Sequence, residues 1–174
     1  MALSPPTKLP LTELYLIRHG IAAERGTYRV DDDRPLTDAG RARTRAVALR
    51  LLALGCQTDK IFTSSLVRAQ QTAEILLDVG LAPTVELSAA LAPGGKLADW
   101  LPVLAQWQAQ SSGRLALVGH EPDLSNWAQQ LVTGQVSDRW RLKKAGVIGL
   151  HVPAAETAIG NSELFWLTPP RLLL

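Results

Sequence analysis

The chain has 174 residues, of which 47% are hydrophobic and 20% are charged, and its formal net charge is +2 at pH 7. This composition is typical of a globular protein of about one domain with a substantial core. The small net charge argues against binding to nucleic acid or to an anionic membrane. Cys56 is the only cysteine, which excludes an intrachain disulfide and a cysteine-based metal site.

The N-terminal segment MALSPPTKLP lacks a basic stretch followed by a long apolar run, so it does not fit a signal peptide. We expect residues 1–12 to form a flexible lead-in and residues 13–174 to form one domain. No apolar run approaches the length of a membrane span, about 20 residues. The expected location is therefore the cytoplasm.

Apolar segments alternate with helical patterns along the chain. The predicted strands cover 14–17, 60–63, 84–87, 114–120, 146–152 and 162–167. The predicted helices cover 36–55, 66–79, 97–110 and 123–132. Thr37 is the expected N-cap of the first helix, and Gly55 its expected stop. Strands that alternate with helices of this length predict an α/β fold with a mostly parallel sheet.

Two predicted strands end in a histidine next to glycine. LYLIRHG delivers Arg18 and His19, and LALVGHE delivers His120. A third strand, KIFTS, runs into a helix that carries Arg68 in its first turn. Because ligands bind at the carboxyl ends of strands in open parallel sheets, we expect these four residues to line one pocket.

The residue types in this pocket indicate an anionic ligand. Arginine offers a planar fork of donors that matches phosphate oxygens, and neither Arg18 nor Arg68 has a partner carboxylate in its own motif. With a phosphate bound, one histidine could attack phosphorus through a neutral ring nitrogen. The other could donate a hydrogen bond to the oxygens that gain charge.

A metal site is the alternative for any histidine cluster, but it requires three or four suitable ligands. The only other histidine is His151, on a late strand, and no carboxylate pair accompanies His19 and His120. Two adjacent guanidinium groups would also repel a divalent cation. We therefore expect no metal ion and a structural role for His151.

Four motifs in order, LIRHG, RPLTDAG, FTSSLVRAQQTA and LVGHEPDLS, resemble the histidine phosphatase superfamily, also called phosphoglycerate mutase-like. The resemblance runs from about residue 14 to 132 and implies a three-layer α/β/α fold with a mostly parallel central sheet. It also implies that His19 is the phosphorylated nucleophile, that Arg18 and Arg68 clamp the phosphate, and that His120 is the second histidine of the pocket.

The RPLTDAG motif has two interpretations. Thr37 as a helix cap and Gly40 as a packing residue explain most of it without any role in the site. Arg34, at its start, would on the other interpretation lie near the rim of the pocket.

Members of this superfamily that cleave phosphate esters usually carry an acid between the arginine motif and the second histidine. The corresponding stretch here, SAALAPGGKLADW, has alanine, proline and glycine at that place, and its acid, Asp99, falls on a predicted helix. Glu121 follows His120 and Glu24 follows the LIRHG motif, so neither lies where the acid of the family would be. The stretch is similar to that of the short phosphohistidine phosphatases of the SixA type, whose imidazole leaving group needs no positioned acid.

The resemblance therefore implies a phosphohistidine protein phosphatase without a cofactor, acting on a phosphotransfer domain of a signalling relay. Two alternatives stay open. One is a phosphatase of small phosphate esters that recruits Glu121 or Glu24 as its acid. The other is a module that binds phosphate without turnover.

Overall fold

The structure, a computed structural model, describes residues 11–174. Its strands are β1 (Thr12–Arg18), β2 (Lys60–Thr63), β3 (Val85–Leu87), β4 (Arg114–Gly119), β5 (Val147–Val152) and β6 (Glu163–Thr168). They form one sheet in the order β3-β2-β4-β1-β5-β6. The pairs from β3 to β1 are parallel, and the two pairs that involve β5 are antiparallel.

Helices cover both faces of this sheet. They are α1 (Asp38–Ala53), α2 (Val67–Asp78), α3 (Leu97–Gln108) and α4 (Asp123–Thr133), with short 3-10 helices at Asp31–Asp33, Ala89–Leu91, Ala155–Thr157 and Pro170–Leu172. Leu14 and Leu16 of β1 pack in the apolar cluster that contains α3 and α4. Tyr15 and Ile17, which alternate with them, pack in the cluster that contains α1 and α2. The predicted three-layer α/β/α fold with a mostly parallel sheet is confirmed.

Each predicted strand and helix is present, with differences of a few residues at the ends. The hydroxyl of Thr37 accepts the N–H of Gly40 at 3.0 Å and caps α1 as expected. Gly55 follows the end of α1 with a φ of +75°, a backbone conformation that favours glycine. Residues 1–10 of the expected lead-in lie outside the described residues, and Thr12, its last residue, begins β1. Across residues 11–174, none of the helices has the length and apolarity to cross a bilayer.

The strand order brings the three motif-bearing strands side by side. β4 lies between β2 and β1, and all three are parallel, so their carboxyl ends meet at one edge. The backbone N–H of His19 donates to the Gly119 carbonyl at 3.1 Å, and that of Ser64 donates to the Val118 carbonyl at 3.0 Å. These bonds continue the ladder one residue past each strand and fix where the following side chains begin.

Helix α1 packs against the segment that follows His19. The Thr37 N–H donates to the Ile21 carbonyl at 2.9 Å, and a Cβ at Gly40 would overlap that same carbonyl oxygen. The backbone therefore approaches α1 as closely as only glycine permits. The packing role expected for Gly40 agrees with this contact.

We predict that Gly40→Ala destabilises the protein although alanine is the better helix former. The added methyl must displace the Ile21 peptide, and overpacking of this kind costs about 1–3 kcal/mol. Urea unfolding measures the loss. The matched control is Ala39→Gly at an exposed position of the same helix, which should cost about 1 kcal/mol through helix propensity alone. A Gly40→Ala protein more stable than the parent would contradict the close approach.

Candidate active site

The two histidines expected in the pocket lie together at the carboxyl edge of the sheet. His19 follows β1 and His120 follows β4, and their ring centroids are 5.1 Å apart. Both side chains are buried, with 6% and 4% of the residue exposed. Burial of two imidazoles side by side favours their neutral forms.

A backbone carbonyl orients the His19 ring. Its Nδ1 lies 2.7 Å from the Gly20 carbonyl oxygen. Because a carbonyl only accepts, Nδ1 carries the proton, and Nε2 keeps its lone pair. The Gly20 N–H in turn donates to the Thr72 hydroxyl at 3.0 Å, and this hydroxyl donates to the Arg68 carbonyl of α2 at 2.8 Å. The ring orientation is thus tied to α2 through the backbone of one residue, Gly20.

Both imidazoles bind a proton less readily than an ordinary histidine. Burial first, then the neighbouring His120 and the guanidinium groups of Arg68 and Arg18, lower the pKa of His19 to about 3, against a smaller rise from the hydrogen bond to the Gly20 carbonyl. The pKa of His120 is lowered to about 4, again by burial first and then by Arg68 and Arg18. Both rings are therefore neutral at physiological pH, so Nε2 of His19 is available as a nucleophile.

His120 is held by the strand on its other side. Its Nε2 lies 2.8 Å from the hydroxyl of Ser64, which is fully buried directly after β2. The Ser64 hydroxyl also accepts the Leu66 N–H at 3.3 Å. The segment that follows β2 thus positions His120 through Ser64, and it leads into α2, which carries Arg68.

The two expected arginines both reach this edge. Arg18 donates from Nη1 to the Leu142 carbonyl at 2.9 Å. Arg68 donates from Nη1 to the Asp31 carbonyl at 2.9 Å and from Nη2 to the Asp31 carboxylate at 3.1 Å. Asp31 lies outside the motif of Arg68 and reaches this arginine because the loop after β1 folds back and places its 3-10 turn against α2.

Arg34 belongs to the same ion-pair cluster. Its Nε donates to the Asp31 carboxylate at 2.7 Å and its Nη1 donates to the Ala23 carbonyl at 2.6 Å. The residue is only 6% exposed and lines the cleft, so Arg34 lies near the pocket as the second interpretation of RPLTDAG predicts, while Thr37 and Gly40 have the roles given by the first. Hydrogen bonding to Arg34 lowers the pKa of Asp31, with a smaller contribution from Arg68. Asp31 is thus an ionised partner of two guanidinium groups.

The cleft around these side chains has a volume of about 610 Å³. Its basic lining residues are Arg18, Arg25, Arg34, Arg68 and Lys144. Burial lowers the pKa of Lys144, and the surrounding arginines lower it further, Arg18 the most among them. Crowded cations around two neutral imidazoles make this a cleft for an anion.

Three carboxylates also line the cleft, and two of them are engaged. Asp31 pairs with the arginines described above, and Glu121 accepts hydrogen bonds from the Ser125 N–H at 3.2 Å and from its hydroxyl at 2.8 Å. Glu24 is exposed, and within residues 11–174 its carboxylate takes part in no hydrogen bond or ion pair. Asp99 lies in the first turn of α3 and does not line the cleft.

The wall formed by residues 88–95 contributes Pro93 and no acid. The Gly94 N–H donates to the Asp123 carboxylate at 2.9 Å, and the Trp127 indole N–H donates to the Gly95 carbonyl at 3.1 Å. Helix α4 therefore holds this loop in place.

Within the part of the chain that the structure describes, no group of three or more His, Cys, Asp or Glu could hold a metal ion.

Sequence reasoning missed Asp31 and Lys144. An acidic run before Arg34 was the available signal for Asp31, whereas Lys144 reaches the cleft from the segment before β5 and no motif marks it.

Comparisons with known proteins agree with this geometry. A sequence model described as the histidine phosphatase superfamily (branch 1) matches residues 14–92, which include Arg18, His19 and Arg68. An uncharacterized protein of Picosynechococcus sp. (strain PCC 7002) is 49% identical over 163 residues, covering 93% of this chain and 99% of that protein. The mitochondrial serine/threonine-protein phosphatase Pgam5 of Drosophila grimshawi is 34% identical over 102 residues, 54% of this chain but only 35% of that protein.

Among solved structures, the protein histidine phosphatase SixA complexed with tungstate shares the fold. It matches with a TM-score of 0.82 at 22% identity, covering 94% of this chain and 100% of that one. Three observations agree, namely the fold, the paired histidines with their arginines, and the matched motifs. The chain therefore belongs to the histidine phosphatase superfamily.

Proposed function

We propose that the protein is a phosphohistidine phosphatase that removes the phosphoryl group from a histidine on another protein. Membership of the superfamily supports a phosphatase activity. The assignment of phosphohistidine as the substrate rests on one observation. The wall of residues 88–95 offers Pro93 and no acid to the cleft. A cytoplasmic location and a place in a phosphorelay are part of the same proposal, on the resemblance to SixA-type enzymes.

The missing acid suits a phosphoramidate substrate. An alkoxide is a poor leaving group and needs a proton from a positioned acid, whereas imidazole is the conjugate base of an acid with a pKa near 6.5. The carboxylates of Asp31 and Glu121 are occupied by Arg34, Arg68 and Ser125. The substrate ring can instead take a proton from water on the nitrogen that bears no phosphorus, so that it leaves as neutral imidazole.

In the first step, Nε2 of His19 attacks the phosphorus atom. The bond from phosphorus to the substrate imidazole breaks, and that imidazole leaves with the electron pair. Arg18, Arg68 and His120 hold the phosphoryl oxygens while negative charge redistributes over them. The Gly20 carbonyl keeps the Nδ1 proton in place and stabilises the positive charge that the His19 ring acquires.

In the second step, water attacks the phosphorus of phosphorylated His19. The bond from phosphorus to Nε2 breaks, its electron pair returns to the ring, and a proton of the attacking water passes to phosphate or solvent. The same oxygen-binding groups act again, because the transferred group has the same geometry in both steps.

Exposed residues at the mouth of the cleft, among them Glu24, Arg25 and Pro93, leave it open to solvent. A phosphohistidine that projects from a protein surface could therefore enter.

We predict rapid release of phosphate from a phosphohistidine protein and little release from sugar or aryl phosphates. His19→Ala should abolish release because no nucleophile remains. The matched control is His151→Ala, which removes a histidine outside the cleft and should leave turnover unchanged. Ester turnover at a comparable rate would contradict the proposal, and phosphate binding without turnover of either substrate would identify a binding module.

An ester phosphatase is the second candidate, favoured by the exposed carboxylate of Glu24 at the cleft and by the partial similarity to Pgam5. If Glu24 or Glu121 were the acid, its change to Gln would lower kcat on esters by about 10²–10⁴-fold, the usual contribution of general acid catalysis. We predict that neither Glu24→Gln nor Glu121→Gln changes turnover of phosphohistidine by more than about twofold, since its leaving group needs no acid. Single-turnover assays on both substrates measure this.

We also predict that His19 and His120 stay neutral at pH 5.5, where an ordinary histidine is mostly protonated. Their pKa values are lowered to about 3 and about 4, so protonation begins only in stronger acid. Long-range ¹H–¹⁵N spectra report the state of each ring, and His19 should show the Nδ1–H tautomer. A His19 ring that titrates near pH 6.5, or carries its proton on Nε2, would contradict the proposed nucleophile.

A further inference from the structure

A second concavity, of about 660 Å³, adjoins the cleft. We call it the basic groove. Its basic lining residues are Arg18, Arg43, Arg141, Lys143, Lys144 and Arg171. Arg18 and Lys144 also line the cleft, so the two concavities share a wall. Any molecule that places a phosphoryl group against Arg18 must therefore lie beside the basic groove.

Among the residues that the structure describes, no carboxylate lines the basic groove. In residues 11–174, the side chains of Arg43, Arg141 and Arg171 form no ion pair. Two carboxylates, Glu121 and Asp138, line a neighbouring hollow that shares Arg141 with the groove. The groove thus concentrates positive charge in a chain whose net charge is only +2. No ion pair within residues 11–174 neutralises this charge.

Two of its guanidinium groups have unused donors. The Nε atoms of Arg18 and Arg43 are buried and have no hydrogen-bond partner within residues 11–174. A buried donor without a partner is costly, so the residues that the structure describes do not fully satisfy either guanidinium group.

Apart from Thr168, the rest of the lining is aliphatic. Leu142 and Pro170 are buried beneath the groove, and Leu167 is 41% exposed at its edge. Across residues 11–174, no aromatic side chain lines it, although single-stranded nucleic-acid sites use aromatic side chains to stack bases. A basic rim around an aliphatic floor fits a protein segment that carries both acidic and apolar side chains.

We propose that the basic groove docks an acidic segment of the phosphoprotein substrate, adjacent to the histidine that carries the phosphoryl group. The inference rests on the proposed function and adds the chemistry of the partner surface. The cleft binds the phosphoryl group, and the groove contributes affinity and encounter rate for the protein around it. Attraction of this kind raises the association rate and weakens as salt screens the charges.

The test compares two charge-reversed double variants. R141E/R171E reverses two exposed groove residues outside the catalytic cleft, and R45E/R50E reverses two exposed α1 residues outside the groove. The protein substrate is a phosphotransfer protein phosphorylated on histidine with Asp and Glu beside it. The small substrate is free phosphohistidine, which enters the cleft without covering the groove.

We expect R141E/R171E to lower kcat/KM on the protein substrate by at least about tenfold, through KM, within the usual range of electrostatic steering. Free phosphohistidine should be turned over as by the parent, and R45E/R50E should resemble the parent on both substrates. The salt dependence of kcat/KM on the protein substrate should become shallower in R141E/R171E. Neutralising the acidic residues of the substrate protein to Asn and Gln should reproduce the loss with the parent enzyme.

Equal kcat/KM for the two double variants on the protein substrate would overturn the docking role. An equal loss on free phosphohistidine would also overturn it, because the groove would then act on the chemistry. Absence of turnover on both phosphohistidine substrates would refute the proposed function instead. In that case, titration of the unphosphorylated acidic protein still decides the inference, which requires binding to the parent and weaker binding to R141E/R171E.

Discussion

The parallel pairing of β1 with β4 is the constraint on which the whole site depends. It sets Arg18 opposite Gly119 in register and extends one residue further through the hydrogen bond from the His19 N–H to the Gly119 carbonyl. Two histidines can face each other only because both strands run in the same direction and end at the same level. Strand β2 on the far side of β4 adds Ser64 and the helix that carries Arg68. The site is therefore a property of three adjacent strand ends more than of any single loop.

Burial has opposite consequences for the two kinds of basic group at this edge. Imidazoles respond by remaining neutral, which preserves a lone pair on His19. Guanidinium groups keep their charge even when buried, although the pKa values of Arg18 and Arg68 are lowered, in each case chiefly by burial. Their charge must then be balanced, and Asp31 supplies part of the balance for Arg68 and Arg34. On the proposed function, an incoming phosphoryl group would supply further negative charge. One cleft can therefore combine a neutral imidazole, the proposed nucleophile, with strongly positive surroundings.

The fold and most of the site could be predicted from the sequence because their signals are local. Hydrophobic periodicity marks the strands, and short motifs mark His19 and His120 at strand ends. Asp31 and Lys144 could not be placed, since their positions depend on how the segments after β1 and before β5 fold over the sheet edge. The role of Arg34 was undecided for the same reason, because Thr37 and Gly40 explain its motif through packing alone. Sequence patterns here predict which segments are strands and helices, but they do not predict where the loops lie over the sheet edge.

The acceptor that fixes the His19 tautomer is the Gly20 carbonyl, a backbone atom. A substitution can change any side chain around the nucleophile, but it cannot delete this oxygen. The direct partner of the proposed attacking ring is thus independent of side-chain identity, although the Thr72 hydroxyl still helps to position Gly20. The wall at 88–95 and the rim of the basic groove are made of side chains, so they can change while the reactive geometry persists. On the proposed function, point substitutions in the wall or in the rim of the groove would therefore change the leaving group or the partner that the site accepts, without altering His19.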